Sequence, residues 1–231
     1  MYLLLDIGNT REKAALFCDD KLTALSELNA DSLKKLPLTA VYFACVAKDA
    51  RLNVLKTELA LDHLPWHQVQ SEAHAFGVTN CYAQPHLLGV DRWLALLGAK
   101  QLMVKQSVMI VDAGTALTVD WIDENGVHQG GWIMPGLQLQ QQSVVQQTAK
   151  VFNKETLNGS VEPGKDTIAC LQNGCLAAVT GAIRQGWLLN KAERLILTGG
   201  DTFYLNAQLA DLNVITEPLL VFHGLAQYIR Q

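Results

Sequence analysis

The sequence predicts an α/β protein of two similar lobes, each a mixed β-sheet with helices packed on it. Residues 108–122 (VMIVDAGTALTVDWI) contain an apolar run ending in Asp112, a glycine turn at Ala113-Gly114-Thr115, and a return segment that alternates apolar and polar side chains. That is the pattern of a buried strand, a tight turn and a second strand. Residues 3–10 (LLLDIGNT) open the chain in the same way and lead to a second run through Leu16 and Phe17. Laying Asp6 on Asp112 puts Gly8 on Gly114, Asn9 on Thr115 and Thr10 on Ala116, at an offset close to half the chain. Self-similarity on that scale marks a duplicated unit. The implied lobes are residues 1–106 and 107–231, facing each other across a cleft.

The remaining elements follow in order. Residues 21–28 read as a third strand, 31–36 as a short helix, 40–46 (AVYFACV) as a buried strand, 49–61 as a helix and 66–69 as a short strand. Three strands, a helix, a strand, a helix and a strand is the order of a ribonuclease H-like lobe. An amphipathic helix begins near Asp91. After the second hairpin come a strand at 127–134, a Gln-rich helix at 137–150, a loop at 151–165 and a long helix from Thr167 to about Asn190, with Asp166 as its N-cap. Gly174, Gly181 and Gly186 along that helix imply close packing, within the chain or across a dimer. A strand at 194–198, the turn Gly199-Gly200-Asp201 into a helix, a strand at 213–215 and a helix at 219–229 close the chain.

Composition narrows the function classes. The chain is 231 residues long, 49% hydrophobic and 17% charged, with a formal net charge of −4. It can bury a core, and it lacks the basic excess expected of a nucleic-acid binder. The apolar start is too short for a signal peptide or a membrane span, so a cytoplasmic protein is expected. Five cysteines without a Cys-x-x-Cys pair read as reduced, mostly buried thiols.

A glycine turn lets backbone N–H groups approach a phosphate, and neighbouring Thr or Asn side chains add donors. An Asp at the strand end offers oxygen to Mg²⁺ or K⁺. Asp-Gly turns also occur in ordinary hairpins, but two copies in register, each closing an apolar strand, favour a phosphate site. Asp91 and Arg92 follow Gly89 at a helix start. An Asp there suits the helix dipole, whereas Arg92 sits at the wrong end for it; the pair is either a plain helix start or a general base beside a carboxylate clamp. Gly159 to Asp166 nearly matches a P-loop, but Asp166 stands where Ser or Thr is needed and no buried strand precedes it. His63 and His67 are spaced as a zinc pair, yet Pro65 lies between them and argues for a loop. The Gly199-Gly200-Asp201 turn could lie under a nucleotide or be a simple connection.

In this order the motifs resemble the type III pantothenate kinases, within the superfamily of acetate and sugar kinases, chaperone ATPases and actin. Residues 6–10 (DIGNT) and 112–115 (DAGT) are similar to the family's two phosphate loops. Tyr82, Gln84-Pro85 and residues 89–92 (GVDR) are similar to its pantothenate motif, and residues 130–136, 164–167 and 197–201 to later landmarks. The resemblance implies phosphorylation of pantothenate by ATP to 4′-phosphopantothenate, the first step of coenzyme A biosynthesis. It implies that Asp91 is the proton acceptor and that Tyr82, Gly89, Val90, Asp91, Arg92 and Thr167 hold pantothenate. Asp6, Gly8, Asn9, Thr10, Lys13 and Thr115 would bind ATP, with Mg²⁺ oriented by Asp6 through water and a monovalent cation, K⁺ or NH₄⁺, at Asp112. A homodimer is implied, with no nucleic-acid or membrane partner. The alternative is a non-catalytic, ATP-sensing transcriptional accessory factor of the same fold. Three features depart from the family: a short chain, the acid of Arg11-Glu12 inside the first phosphate loop, and the Gln-rich stretch.

Overall fold

A computed structural model describes residues 1–8, 10, 12–46, 49–152 and 159–230, and of residues 49 and 50 the backbone only. Contacts divide the chain into two compact units: Met1–Lys105 with Asn125–His128 and Leu219–Gln231, and Gln106–Glu124 with Gln129–Pro218.

In the first unit the strands β1 (Tyr2–Ile7), β2 (Glu12–Cys18) and β3 (Lys21–Leu25) are followed by helix α1 (Ala30–Leu33), β4 (Ala40–Cys45), α2 (Asp49–Leu59) and β5 (Trp66–Gln68). The sheet order is β3-β2-β1-β4-β5, with β1–β2 and β2–β3 antiparallel and β4 and β5 continuing parallel to β1. Side chains alternate across a strand, so Leu3, Leu5 and Ile7 of β1 share a core with Val41, Phe43, Leu33, Leu55 and Leu59. Leu4, on the opposite face, is equally buried.

The hairpin β6 (His74–Ala75) and β7 (Val78–Thr79) was not expected from the sequence. Its turn places Phe76 at φ 48° and Gly77 at φ 77°, the left-handed pair typical of a two-residue hairpin. Phe-Gly is a poor sequence signal for that turn, since Phe seldom adopts positive φ. A 3₁₀ turn at Pro85–Leu87 then leads into α3 (Val90–Leu102).

The second unit repeats the plan. Strands β8 (Val108–Ala113), β9 (Ala116–Ile122) and β10 (His128–Pro135), helices α4 (Leu137–Gln147) and α5 (Thr167–Asn190), strand β11 (Arg194–Thr198), helix α6 (Thr202–Asn206) and strand β12 (Val214–Thr216) follow in order. Its sheet order is β10-β9-β8-β11-β12, with β8–β9 antiparallel and β11 parallel to both β8 and β12. Both sheets therefore run third, second, first, fourth, fifth strand, the duplicated fold class that the repeated hairpin predicts. Helix α5 covers one face, with Leu171, Leu176, Val179 and Ile183 against Met109, Val111, Val119 and Leu195. Among its glycines, Gly186 packs tightly on Met109, Trp121 and Trp132, whereas Gly174 and Gly181 face open space. The expected close packing therefore holds at Gly186.

The last helix, α7 (Leu220–Gln227), packs on α3 within the first unit. The two backbones meet through a reciprocal pair of glycines. A Cβ on Gly98 of α3 would lie 2.2 Å from the Leu220 carbonyl oxygen, and one on Gly224 of α7 would lie 2.0 Å from the Leu94 carbonyl oxygen. Small residues permit this approach, and neither carbonyl can rotate away without losing its helix geometry.

The five cysteines are free thiols, and only Cys175 is buried; the expectation of mostly buried thiols fails because Cys81 lies on a turn and Cys170 on an outer face of α5. Among the described residues no helix is long and apolar enough to cross a membrane.

Replacing Gly224 with Ala tests the helix contact. Helix propensity alone would favour Ala by about 1 kcal/mol, but overpacking against a fixed carbonyl costs about 2–3 kcal/mol. Chemical denaturation is expected to show a net loss of stability; a gain would disprove the close approach.

Candidate functional site

Asp6 and Asp112 occupy equivalent places. Each stands next to the last residue of the central strand of its sheet, at the carboxyl end where α/β proteins tend to bind ligands. Asp6 pairs in register with Lys13 across β1–β2 and with Ala44 of β4. Asp112 pairs with Thr118 of β9 and Thr198 of β11. β1 ends at Ile7 and β2 begins at Glu12, whereas β8 ends at Ala113 and β9 begins at Ala116. Thr10 and Thr115 are exposed. Asn9 lies outside the described residues.

Glu12, the acid that departs from the family pattern, is held by Arg51 of α2. The Arg51 Nε and Nη2 atoms both lie 2.5 Å from Glu12 Oε1. The hydrogen bond from Arg51 holds the Glu12 carboxyl below its usual range. Its charge is thereby answered locally. A depressed carboxyl pKa stabilises the fold above the ordinary carboxylate range, and that contribution is lost as pH falls through the depressed value.

The second turn is built by close backbone contact. The Gly136 amide donates to the Thr115 carbonyl at 2.9 Å, and a Cβ at Gly136 would lie 2.0 Å from the Gly114 carbonyl oxygen. Gly199 has φ 97°, and its Cβ would meet the Ala113 carbonyl at 2.4 Å and Asp112 Oδ1 at 2.5 Å. The Asp201 amide donates to the Ala113 carbonyl at 2.9 Å. The Gly-Gly-Asp turn thus closes over the end of β8. Asp112 Oδ1 and the Ala113 carbonyl oxygen lie against Gly199, and the Gly114 and Thr115 carbonyl oxygens against Gly136. Among the described residues no group of three or more His, Cys, Asp or Glu could hold a metal. Thr167 begins α5, whose N-cap Asp166 accepts from the Ala169 amide at 2.9 Å; this also disposes of the apparent P-loop.

The remaining candidates lie together in the first unit. Arg92 is 5% exposed and donates from Nη1 to the Tyr82 hydroxyl at 3.1 Å. Tyr82 stacks on His128, with ring centroids 6.1 Å apart and planes 13° from parallel. His128 Nδ1 also lies 3.3 Å from Cys81 Sγ. Asn80 shapes the turn: its Oδ1 accepts from the Tyr82 amide at 3.0 Å, and its Nδ2 donates to the carbonyls of Glu72 and Pro85. At the start of α3 the Asp91 carboxylate accepts from the Arg92 amide at 2.8 Å. A Cβ on Gly89 would lie 2.6 Å from Asp91 Oδ1, so glycine at the N-cap leaves room for that carboxylate.

Beside this helix start is a hollow of about 450 Å³ lined by Cys45 at the end of β4 and Val46 after it, by Gln68 and Ser71, and by Leu88 and Gly89. The Ser71 hydroxyl donates to the Leu88 carbonyl at 2.8 Å. Sequence reading missed Asn80, the strap 68–71 and His128. Asn80 before a turn was a usable signal, but a strap and a distant stacking partner carry none.

A family model described as type III pantothenate kinase matches residues 2–188. A type III pantothenate kinase of Colwellia psychrerythraea is 36% identical over 99% of this chain and 100% of its own length. Among solved structures, a Campylobacter jejuni protein described as a Baf family transcriptional activator superposes with TM-score 0.63 at 24% identity, over 99% of this chain and 97% of its own. A Sinorhizobium meliloti protein described as a 2-dehydro-3-deoxygalactonokinase superposes with TM-score 0.58 at 13% identity, over 100% and 98%. At those identities the two structures bear on the fold alone, two similar mixed sheets with helices packed on them.

Replacing Gly199 with Ala is expected to lower stability by about 2–3 kcal/mol, from positive φ and from overpacking against β8. Urea unfolding measures it, and an unchanged midpoint would show that the turn does not close on Asp112.

Proposed function

Because this chain belongs to the type III pantothenate kinase family and therefore phosphorylates pantothenate with ATP to 4′-phosphopantothenate in coenzyme A biosynthesis, we propose that Asp91 is the general base and that Arg92 and Tyr82 hold the pantothenate carboxylate. The observation that carries this reading is the buried Arg92 fixed to the Tyr82 hydroxyl, one residue after a half-buried Asp91 at the start of α3. Guanidinium is always charged and binds carboxylates in a planar fork. Burying a guanidinium is costly, and the Tyr82 hydroxyl helps to fix this one in place beside Asp91.

Gly89, Val90 and Thr167 complete the proposed pantothenate contacts. Asp6, Gly8, Asn9, Thr10, Lys13 and Thr115 are proposed to serve the ATP phosphates, the turns through backbone N–H groups and hydroxyls and Lys13 through its charge. Phosphoryl transfer asks a protein mainly for positioning and charge stabilisation. Asp91 accepts the proton of the pantothenate hydroxyl as its oxygen attacks the γ-phosphorus, and ADP leaves. Arg92 and Tyr82 fix the other end of the substrate so that this hydroxyl stays in line.

The single carboxylate of Asp6 suits Mg²⁺ held mostly by water and phosphate oxygens, and the oxygens around Asp112 suit a monovalent cation, K⁺ or NH₄⁺. Bound there, such cations would neutralise charge on the phosphates. A homodimer acting in the cytoplasm, without nucleic-acid or membrane partners, belongs to the same proposal. The alternative of a non-catalytic transcriptional factor gives way to the enzyme, since the family match is to a kinase.

ADP release coupled to an indicator reaction, with pantothenate and either K⁺ or Na⁺, tests the roles. K⁺-dependent turnover is expected. Asp91→Ala should lower kcat by about 100-fold or more, and turnover that survives it removes the base assignment. Arg92→Ala should raise the KM for pantothenate about tenfold or more, the loss of a charge-assisted contact; an unchanged KM removes the carboxylate clamp. Gly89→Ala displaces the Asp91 carboxylate and should reduce kcat more than it raises KM. Light scattering is expected to give twice the chain mass.

A further inference from the structure

Tyr82 and Arg92 belong to a closed circuit of hydrogen bonds that runs through the last helix. Arg92 donates to the Tyr82 hydroxyl at 3.1 Å. The Tyr82 amide donates to Asn80 Oδ1 at 3.0 Å, and Asn80 Nδ2 donates to the Glu72 carbonyl at 3.1 Å. The Glu72 carboxylate accepts from the Tyr228 hydroxyl. Tyr228 in turn accepts from Trp93 Nε1 at 3.1 Å, and Trp93 is the neighbour of Arg92 in the chain. A phenol has one proton to give and lone pairs to receive, so donating to Glu72 while accepting from Trp93 uses Tyr228 fully.

From this circuit we infer that Tyr228 and Glu72 are positioning residues for pantothenate binding, which lock the Tyr82–Arg92 pair and the start of α3 into the geometry that receives the substrate carboxylate.

Several features converge on that role. Trp93 is fully buried, so its indole N–H needs a partner, and Tyr228 supplies it. The Tyr228 ring packs edge-on against Phe76 of the β6–β7 turn, with centroids 4.9 Å apart. Burial, with the Glu72 carboxylate next, raises the phenol well above its ordinary pKa, so it remains a donor throughout the working pH range. Residues 68–70 line both the hollow beside Gly89 and a second hollow of about 390 Å³ that Glu72 and Tyr228 also line, so the circuit and the hollow beside α3 share one strap. Tyr228 also lies beyond the residues that the family model matches.

The inference rests on the proposed pantothenate reading, and the test separates the two. Tyr228→Phe keeps the ring on Phe76 and deletes both hydrogen bonds. Losing a net hydrogen bond of ordinary strength is expected to raise the KM for pantothenate roughly five- to tenfold, with the KM for ATP within about twofold. Glu72→Gln keeps an acceptor oxygen and should stay within about twofold of the parent, whereas Glu72→Ala should resemble Tyr228→Phe. Amide hydrogen exchange over residues 80–93, measured without substrate, should quicken in Tyr228→Phe. Combined with Tyr82→Phe, the effect on KM should be less than additive.

Unchanged exchange overturns the inference whatever the kinetics. It is also overturned if both KM values rise together, or if the KM for pantothenate responds to Tyr82→Phe but not to Tyr228→Phe. If exchange quickens while neither variant moves that KM, the pantothenate reading falls and the circuit stands as a brace for α3.

Discussion

The contact between α3 and α7 governs the first unit. Two helices approach until backbone meets backbone, because each presents a glycine where the other presents a carbonyl, at Gly98 against Leu220 and Gly224 against Leu94. A larger side chain at either position would push the axes apart. Helix α3 carries Asp91, Arg92 and Trp93 on its first turn, so its placement on the sheet places all three. Helix α7 brings Tyr228 to Trp93 by the same contact. Packing between glycines and carbonyls in the middle of α3 is thus tied to the chemistry proposed at its first turn.

The second unit uses the same device on its turns. Gly136 and Gly199 bring two separate segments against Gly114, Ala113 and Asp112. The result is a tightly packed turn at the end of β8, beside the Asp112 carboxylate. In the first unit the equivalent Asp6 faces Lys13 across the ladder, and the nearby Glu12 is answered by Arg51. Both units keep the strand and its Asp while the surroundings differ: Lys13 faces Asp6 across the ladder, and Gly199 packs against Asp112.

Much of the architecture was legible because it depends on local pattern. The buried runs ending in Asp6 and Asp112 are hydrophobic strands whatever surrounds them, and Asp166 caps α5 through its own side chain. The Asp91-Arg92 pair stood out because Arg92 contradicts the helix dipole, and the structure ties that arginine to Tyr82. Other parts could not be read. Phe76-Gly77 makes a hairpin from a residue that disfavours positive φ, so tertiary contacts override propensity there. Glycines on α5 had no legible partner, because an open face and a packed one look alike in sequence.

The sequence by itself determined the two-lobed α/β plan, the order of the sheet strands along the chain (the β6–β7 hairpin apart) and the positions of the motif residues, since periodicity, turn chemistry and capping act over a few residues. Tertiary structure alone decided which sheet receives the last helix, that Glu12 meets Arg51, that His128 lies under Tyr82 and that Tyr228 closes the circuit through Glu72 and Trp93. Those contacts join residues far apart in the chain, and nothing local distinguishes the partner that a side chain will meet once the backbone has folded.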